Sequence, residues 1–257
     1  MFKIAFIDID NTILDHNIHD FDFESINEIK KAKEKGIIIF LCTARNYYAT
    51  KTTKILDLLN PDGVICSNGN LARTKKKVLY ANIVPIEISK VVEKILNKHH
   101  LMAQFSSPYG SHLTNKPNKY MHSYFYSYKE KIPSVKKYDN KNITSMLMFA
   151  PIRYDEILKK EFPKEIELRR YSEFGCDLAY HFLDKGIGAK RILDYLGIDK
   201  KDAIGIGDSI DDVSLFKEVG LGVAMGNASE EIKEKASIVI DTISNHGVAK
   251  FFKELFK

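Results

Sequence analysis

Short apolar runs, each closed by a polar turn and followed by a segment of helical periodicity, dominate both ends of the chain. Phe2–Asp8, Ile37–Cys42 and Val64–Ser67 read as strands, with helices expected over Phe21–Lys35 and Asn46–Leu59 between them. Within the first of these helices Phe23, Ile26, Ile29 and Ala32 recur at helical spacing, and Gly36 ends it. The pattern returns later: helices over Ile187–Leu196, Ile210–Glu218, Ser229–Ala236 and from His246 alternate with strands Ala203–Ile206, Leu221–Ala224 and Ile238–Ile240. A strand that is apolar along its whole length has both faces buried, and alternation with helices implies a parallel sheet covered on both sides. The expected fold class is therefore α/β, a doubly wound, mostly parallel sheet.

The middle of the chain breaks this rhythm. Pro85–His99 reads as a helix, Gln104–Pro117 is rich in Ser, Pro, Gly and Asn, and Tyr120–Tyr128 is crowded with tyrosine. Thr144–Ala150 reads as a strand and Tyr154–Glu161 as a helix, and Glu165–Tyr171 and Cys176–Phe182 form an expected hairpin around Ser172–Gly175. These elements place an inserted α+β domain at 82–180, inside a discontinuous core at 1–81 and 181–257.

A chain of 257 residues, 44% hydrophobic and 28% charged, can bury a full core without disulfide or metal staples. No apolar run approaches the ~20 residues of a membrane span, and carboxylates fall early where a signal peptide would be apolar. Cys42, Cys66 and Cys176 are odd in number and match no metal-ligand spacing, so a reduced, cytoplasmic setting is expected. Residues 82–180 hold 16 Lys+Arg against 11 Asp+Glu, while the flanks are balanced at 23 of each. A nucleic-acid binder would carry denser basic stripes. A basic lid over a small anionic substrate fits the asymmetry, and so do scattered surface lysines. No nucleic acid, membrane or obligate protein partner is expected.

The chemistry concentrates at strand ends. Asp8-Ile9-Asp10-Asn11-Thr12 follows the first strand, and two carboxylates two residues apart there can project towards one site. One can attack phosphorus while the other handles the leaving-group proton; a polar turn would look similar taken alone. Gly205-Ile206-Gly207-Asp208-Ser209-Ile210-Asp211-Asp212 follows a second strand, and a helix beginning there would stack Asp208 and Asp212 on one face. Helix capping explains one or two of these acids. Together with the first pair they make a hard oxygen-donor set suited to Mg²⁺. Thr43 closes the strand Ile37–Cys42, and Lys185 precedes a helix. A hydroxyl and a positive charge are what a transferring phosphoryl group needs around it.

The order of these residues resembles the haloacid dehalogenase-like hydrolase superfamily. Cys42-Thr43-Ala44-Arg45, Ser67-Asn68-Gly69-Asn70, Lys185-Gly186, Met225-Gly226-Asn227-Ala228 with Glu231-Ile232-Lys233, and Asn245-His246-Gly247-Val248-Ala249 narrow it to the Cof-type phosphatases. The resemblance implies a Rossmann-like core with an inserted cap. It implies Asp8 as nucleophile and Asp10 as general acid and base. Mg²⁺ would lie on Asp8, the Asp10 carbonyl and Asp208, with Asp212 in support, and Thr43 and Lys185 would hold the phosphoryl oxygens. Arg45, Asn68 and Asp211 match positions near the substrate. Asn11, Ala44 and Asp211 stand where the family usually has Gly, Gly and Asn, and Asp211 is expected to turn towards the helix end or the metal's water shell.

The expected function is hydrolysis of small phosphate monoesters, such as sugar phosphates or phosphorylated cofactors, through an aspartyl-phosphate. A phosphomutase or phosphotransferase would share every one of these residues. A receiver-like phosphate-sensing module would share the acids, Thr and Lys, but is shorter and has no insert.

Overall fold

The computed structural model describes residues 2–128, 130–135, 141–180 and 183–257. The chain forms two compact units: Met1–Arg45, Lys54–Tyr80 and Leu183–Lys257 make the first, Asn46–Thr53 and Ala81–Phe182 the second. The segment Asn46–Thr53, placed by sequence with the first unit, therefore groups with the second.

In chain order the elements are β1 (Ile4–Ile7), β2 (Leu14–Asp15), β3 (Asp20–Phe21), α1 (Phe23–Glu34), β4 (Ile38–Cys42), α2 (Tyr47–Thr52), α3 (Ile55–Leu59), β5 (Gly63–Cys66), β6 (Leu71–Arg73) and β7 (Val78–Ala81). The second unit continues with α4 (Ile86–Lys98), β8 (Met102–Ser107), β9 (Gly110–Leu113), α5 (Lys119–Ser127), β10 (Ser145–Phe149), α6 (Asp155–Glu161), β11 (Ile166–Arg170) and β12 (Gly175–Tyr180). The chain closes with α7 (Lys185–Leu196), β13 (Ala203–Gly207), α8 (Asp212–Lys217), β14 (Leu221–Ala224), α9 (Glu230–Lys233), β15 (Ile238–Val239) and α10 (Gly247–Leu255).

The first unit is built on a sheet of order β15-β14-β13-β1-β4-β5-β6-β7. Pairing is parallel from β15 through β5 and turns antiparallel at β5/β6. Every residue of β1, β5 and β13 is buried, as the unbroken apolar runs require. β1 has β4 on one side and β13 on the other. The strand order therefore reverses at β1, and the crevice beyond the carboxyl ends of such strands is where open α/β sheets bind ligands.

Two helix expectations need correction. The helix over Asn46–Leu59 is two helices, separated at Lys54, whose φ of 68° is left-handed. The hydroxyls of Thr50, Thr52 and Thr53 donate back to the carbonyls of Asn46, Ala49 and Thr50, a pattern that weakens and bends helices. The chain also changes unit there, since α2 packs against β8 and β9 of the second unit. Next, α8 begins at Asp212, so Asp208 lies in the turn before it and the two acids do not share a helix face.

The second unit is an antiparallel sheet of order β11-β12-β10-β8-β9. One apolar cluster joins Val92 and Leu96 of α4 and Leu158 of α6 to Phe105, Met148 and Leu178 of the strands. Another seats Met121 and Phe125 of α5 on Met102, Leu113, Leu147 and Phe149. Part of the tyrosine stretch belongs to this packing: Tyr124 meets Phe125 and Phe149 edge-on, whereas Tyr126 is exposed. The expected hairpin Glu165–Tyr171/Cys176–Phe182 is β11/β12; residues 181 and 182 of that expectation lie outside the described residues. The Ser-, Gly- and Pro-rich stretch holds a hairpin of its own, β8/β9.

Candidate active site

β1 ends in a hydrogen bond from the Asp8 amide to the Ile206 carbonyl of β13, 2.9 Å long. This fixes the Asp8 backbone beside the turn that carries Asp208. Asp208 is followed by a tight return of the chain: the Asp212 carboxylate accepts from the amides of Asp208 (3.2 Å) and Ser209 (3.0 Å) and from the Ser209 hydroxyl (2.8 Å). A Cβ on Gly207 would lie 2.1 Å from the Asp212 carboxyl carbon, so glycine is needed there. Asp8, Asp208 and Asp212 each offer an oxygen, and these oxygens lie within 4.8 Å of one another.

Lys185 is the counter-charge. Asp184 caps α7 by accepting from the Ile187 amide, which makes Lys185 the first residue of the helix rather than a loop residue. Its Nζ donates to Asp8 (2.6 Å) and to Asp212 (2.7 Å), and its side chain is 2% exposed. Burial would lower its pKa, but Asp212 and Asp8 overcome this and hold it well above the ordinary lysine value. Three carboxylates face one ammonium. Burial, reinforced by Asp212, Asp208 and Asp10 and opposed by Lys185, pushes the Asp8 carboxyl well above its usual range. Burial and Asp212 push Asp208 up to about 7.

Asp10 has the opposite surroundings. The Arg45 guanidinium donates to both its oxygens (Nε 2.9 Å, Nη2 2.6 Å), and His16 Nε2 lies 2.6 Å from Oδ1. Burial would raise this carboxyl, but Arg45 and His16 hold it far below the usual carboxylate range. Arg45, expected near substrate, thus grips the second aspartate. His16, in the turn between β2 and β3, was not singled out from sequence. Its only signal is an imidazole six residues after Asp10, with His19 three residues further on.

Thr43 is fully buried just beyond β4. Its amide donates to Ile65, its Oγ1 accepts from the Arg45 amide at 3.1 Å, and its carbonyl accepts from the Asn68 amide at 3.2 Å. The hydroxyl proton remains to be donated. Ser67, Asn68 and Gly69 all have positive φ (51°, 48° and 90°). A Cβ on Gly69 would lie 2.3 Å from the Asp184 carbonyl oxygen. Asn68 Nδ2 donates to Asp211 at 3.2 Å. Asp211 makes no cap bond to α8, so the expected turn towards the helix end is replaced by this contact. Asn11 has φ 52°, the left-handed region that Asn tolerates, and Ala44 has no positive φ, so neither departure from glycine strains the backbone.

The donors that converge at the β1 and β13 ends are all oxygens, and they carry more negative charge than Lys185 neutralises. Such a set fits a hard divalent cation such as Mg²⁺. Among the described residues no other group of His, Cys, Asp or Glu meets the same geometric condition.

Comparison with known proteins gives the same direction. Residues 5–252 match the family described as haloacid dehalogenase-like hydrolase. The chain is 26% identical to the 5-amino-6-(5-phospho-D-ribitylamino)uracil phosphatase YcsE of Bacillus subtilis (strain 168), covering 96% of this chain and 93% of that one. It is 23% identical to a phosphoglycolate phosphatase of Sulfolobus acidocaldarius, covering 99% and 97%. The structure of the HAD subclass IIB sugar phosphatase BT4131 superposes with a TM-score of 0.82 at 26% identity, covering 98% of each chain.

Proposed function

The chain belongs to the haloacid dehalogenase-like hydrolases, and on that footing we propose that it is a Mg²⁺-dependent phosphatase that cleaves small phosphate monoesters through an aspartyl-phosphate on Asp8. The observation that carries this reading is the buried convergence of Asp8, Asp208 and Asp212 around the Lys185 ammonium. Family membership over nearly the whole chain removes the receiver-like alternative. The substrates named for the relatives, a phosphorylated ribityl compound, phosphoglycolate and sugar phosphates, set the size class: a small alcohol esterified to phosphate.

In the proposed sequence an Asp8 oxygen attacks phosphorus and the ester P–O bond breaks. The departing alkoxide takes a proton from Asp10. Water then attacks the aspartyl-phosphate, giving its proton to the Asp10 carboxylate, and the bond from phosphorus to Asp8 breaks to release phosphate. Lys185 and the Thr43 hydroxyl hold phosphoryl oxygens and stabilise the charge that builds on them. When bound, Mg²⁺ offsets the repulsion between an anionic nucleophile and a phosphate dianion. Asp8, the Asp10 carbonyl and Asp208 would hold it. Both Asp212 oxygens already accept hydrogen bonds, which suits a supporting role. With Arg45 and His16 upon it, Asp10 is held ionised and weakly basic, so both its acid step and its base step require that grip to loosen.

The second unit is proposed as the inserted cap domain. The three cysteines are buried and form no disulfide, which suits a reducing, cytoplasmic setting, and no helix among the described residues is long and apolar enough to cross a membrane. The test is phosphate release from p-nitrophenyl phosphate and a panel of phosphorylated metabolites, with and without Mg²⁺. Release that chelator abolishes supports the reading, and no release from any ester overturns it.

A further inference from the structure

Two buried polar atoms in the left-handed turn after β5 have no hydrogen-bond partner: Ser67 Oγ and Asn68 Oδ1. The turn is held from several sides. The Ser67 amide donates to Arg45 and the Asn68 amide to Thr43, and Asn70 Nδ2 donates to the Ser67 carbonyl. Strained backbone with orphaned polar groups persists only where the surroundings over-determine it, and it gathers at ligand sites. The contact to Thr43 and the contact to Asp211, next to Asp212, put this turn beside the proposed phosphoryl site.

Asp211 decides how the Asn68 amide is turned. A carboxylate only accepts, so Asn68 must give it the NH₂ end, leaving the oxygen facing the other way. With Asn at 211, as is usual in the family, either end could face either partner. Lys185 and Arg45, paired with carboxylates here, serve the phosphoryl group and Asp10 in the proposed reaction. What this turn adds beside them is an amide oxygen, a hydroxyl and the negative charge of Asp211.

We propose that Asp211 is a positioning residue that fixes the Asn68 amide with its oxygen presented as an acceptor, so that the site favours phosphate esters whose alcohol carries a free hydroxyl and disfavours those carrying a carboxylate. This rests on the phosphatase reading above. It separates the polyol-type substrates from the carboxylate-bearing ones among the classes named for the relatives.

Three esters test it: glycerol 3-phosphate, n-propyl phosphate, which lacks the hydroxyls, and 3-phosphoglycerate, which replaces the terminal hydroxymethyl by a carboxylate. The wild type should prefer glycerol 3-phosphate over n-propyl phosphate in kcat/KM by about tenfold, the order of one hydrogen bond, and over 3-phosphoglycerate by at least as much. Both Asp211→Asn and Asn68→Ala should bring the glycerol-to-propyl ratio towards one, chiefly through KM. If Asp211→Asn changes only the phosphoglycerate ratio, Asp211 acts by charge alone and the positioning role is overturned. It is equally overturned if neither variant moves the glycerol-to-propyl ratio, or if the wild type prefers the carboxylate ester. Calorimetric binding of the same three esters to the Asp8→Asn protein reads the preference without turnover. Loss of all hydrolysis by the wild type, p-nitrophenyl phosphate included, would instead overturn the phosphatase reading.

Discussion

Asp8 and Asp10 leave the same strand end two residues apart, yet their surroundings pull in opposite directions. On the Asp8 side three carboxylates crowd a single buried ammonium, and desolvation drives protons on. On the Asp10 side one carboxylate meets an arginine fork and an imidazole and stays ionised. The first side sets one ammonium against three carboxylates; on the second the Arg45 guanidinium alone balances its carboxylate. One turn of chain thus places the proposed nucleophile and the proposed proton carrier in opposite electrostatic surroundings.

The largest effect should come from breaking the Asp8 side. Asp8→Asn keeps the shape but loses the nucleophile, so phosphate release should fall below a few per cent of wild type while the circular dichroism spectrum is unchanged; more residual activity would move the nucleophile elsewhere. Lys185→Ala should lower kcat by roughly 10²–10³, with no rescue by added Mg²⁺. It should also cost about 3–5 kcal/mol of stability in urea unfolding, because Asp8 and Asp212 are left without their buried cation.

Proton competition should sharpen the contrast. With Asp208 pushed up to about 7, metal binding below that pH must expel a proton, so Mg²⁺ affinity should weaken on acidification. Well below pH 7 the loss approaches about tenfold per pH unit if one proton is released. A titration with Mg²⁺ followed by thermal shift across pH 5–8 measures this, and flat affinity would show that Asp208 is not among the groups displaced.

The smallest effects should come from the Asp10 side. Arg45→Lys removes the fork but keeps a charge, and should lower kcat by about tenfold while changing KM less, as expected for disturbed acid–base geometry. His16→Asn should cost less than Arg45→Lys, since the arginine fork remains. If His16→Asn proves the more damaging, the imidazole rather than the guanidinium governs Asp10.

Much of this contrast was legible in the sequence, because acids after apolar strands mark the carboxyl ends of a parallel sheet. The motif located Asp8, Asp10, Asp208 and Asp212, and Lys185-Gly186 located the ammonium. The partners of Asp10 were less legible. Arg45 matches a position near the substrate, but nothing in the sequence shows that it pairs with Asp10, and His16 carries no motif; both pairings depend on how β4 and the turn after β2 fold back. In the second unit β8 was hidden by its own composition, since Gln104, Ser106 and Ser107 are polar yet buried in the sheet. Pairing with β9 and β10 overrides what those residues would prefer alone. The break at Lys54 escaped for a similar reason: continuous helical periodicity does not show that the chain is changing units.

The register Ile4↔Ala203 between β1 and β13 also has a consequence for synthesis. β4 emerges soon after β1 and can pair with one of its edges, but the other edge must wait for a strand made about 200 residues later. At about 5–20 residues per second this is a delay of roughly 10–40 s. Throughout that interval a strand apolar on both faces has an open edge, the kind of surface that recruits foreign strands. The second unit, whose helices and strands are nearly all contiguous in the chain, ends at residue 182 and so is synthesised about 20 residues ahead of β13. A nascent chain stalled before Ala203 should therefore carry one finished unit and one adhesive, unfinished sheet.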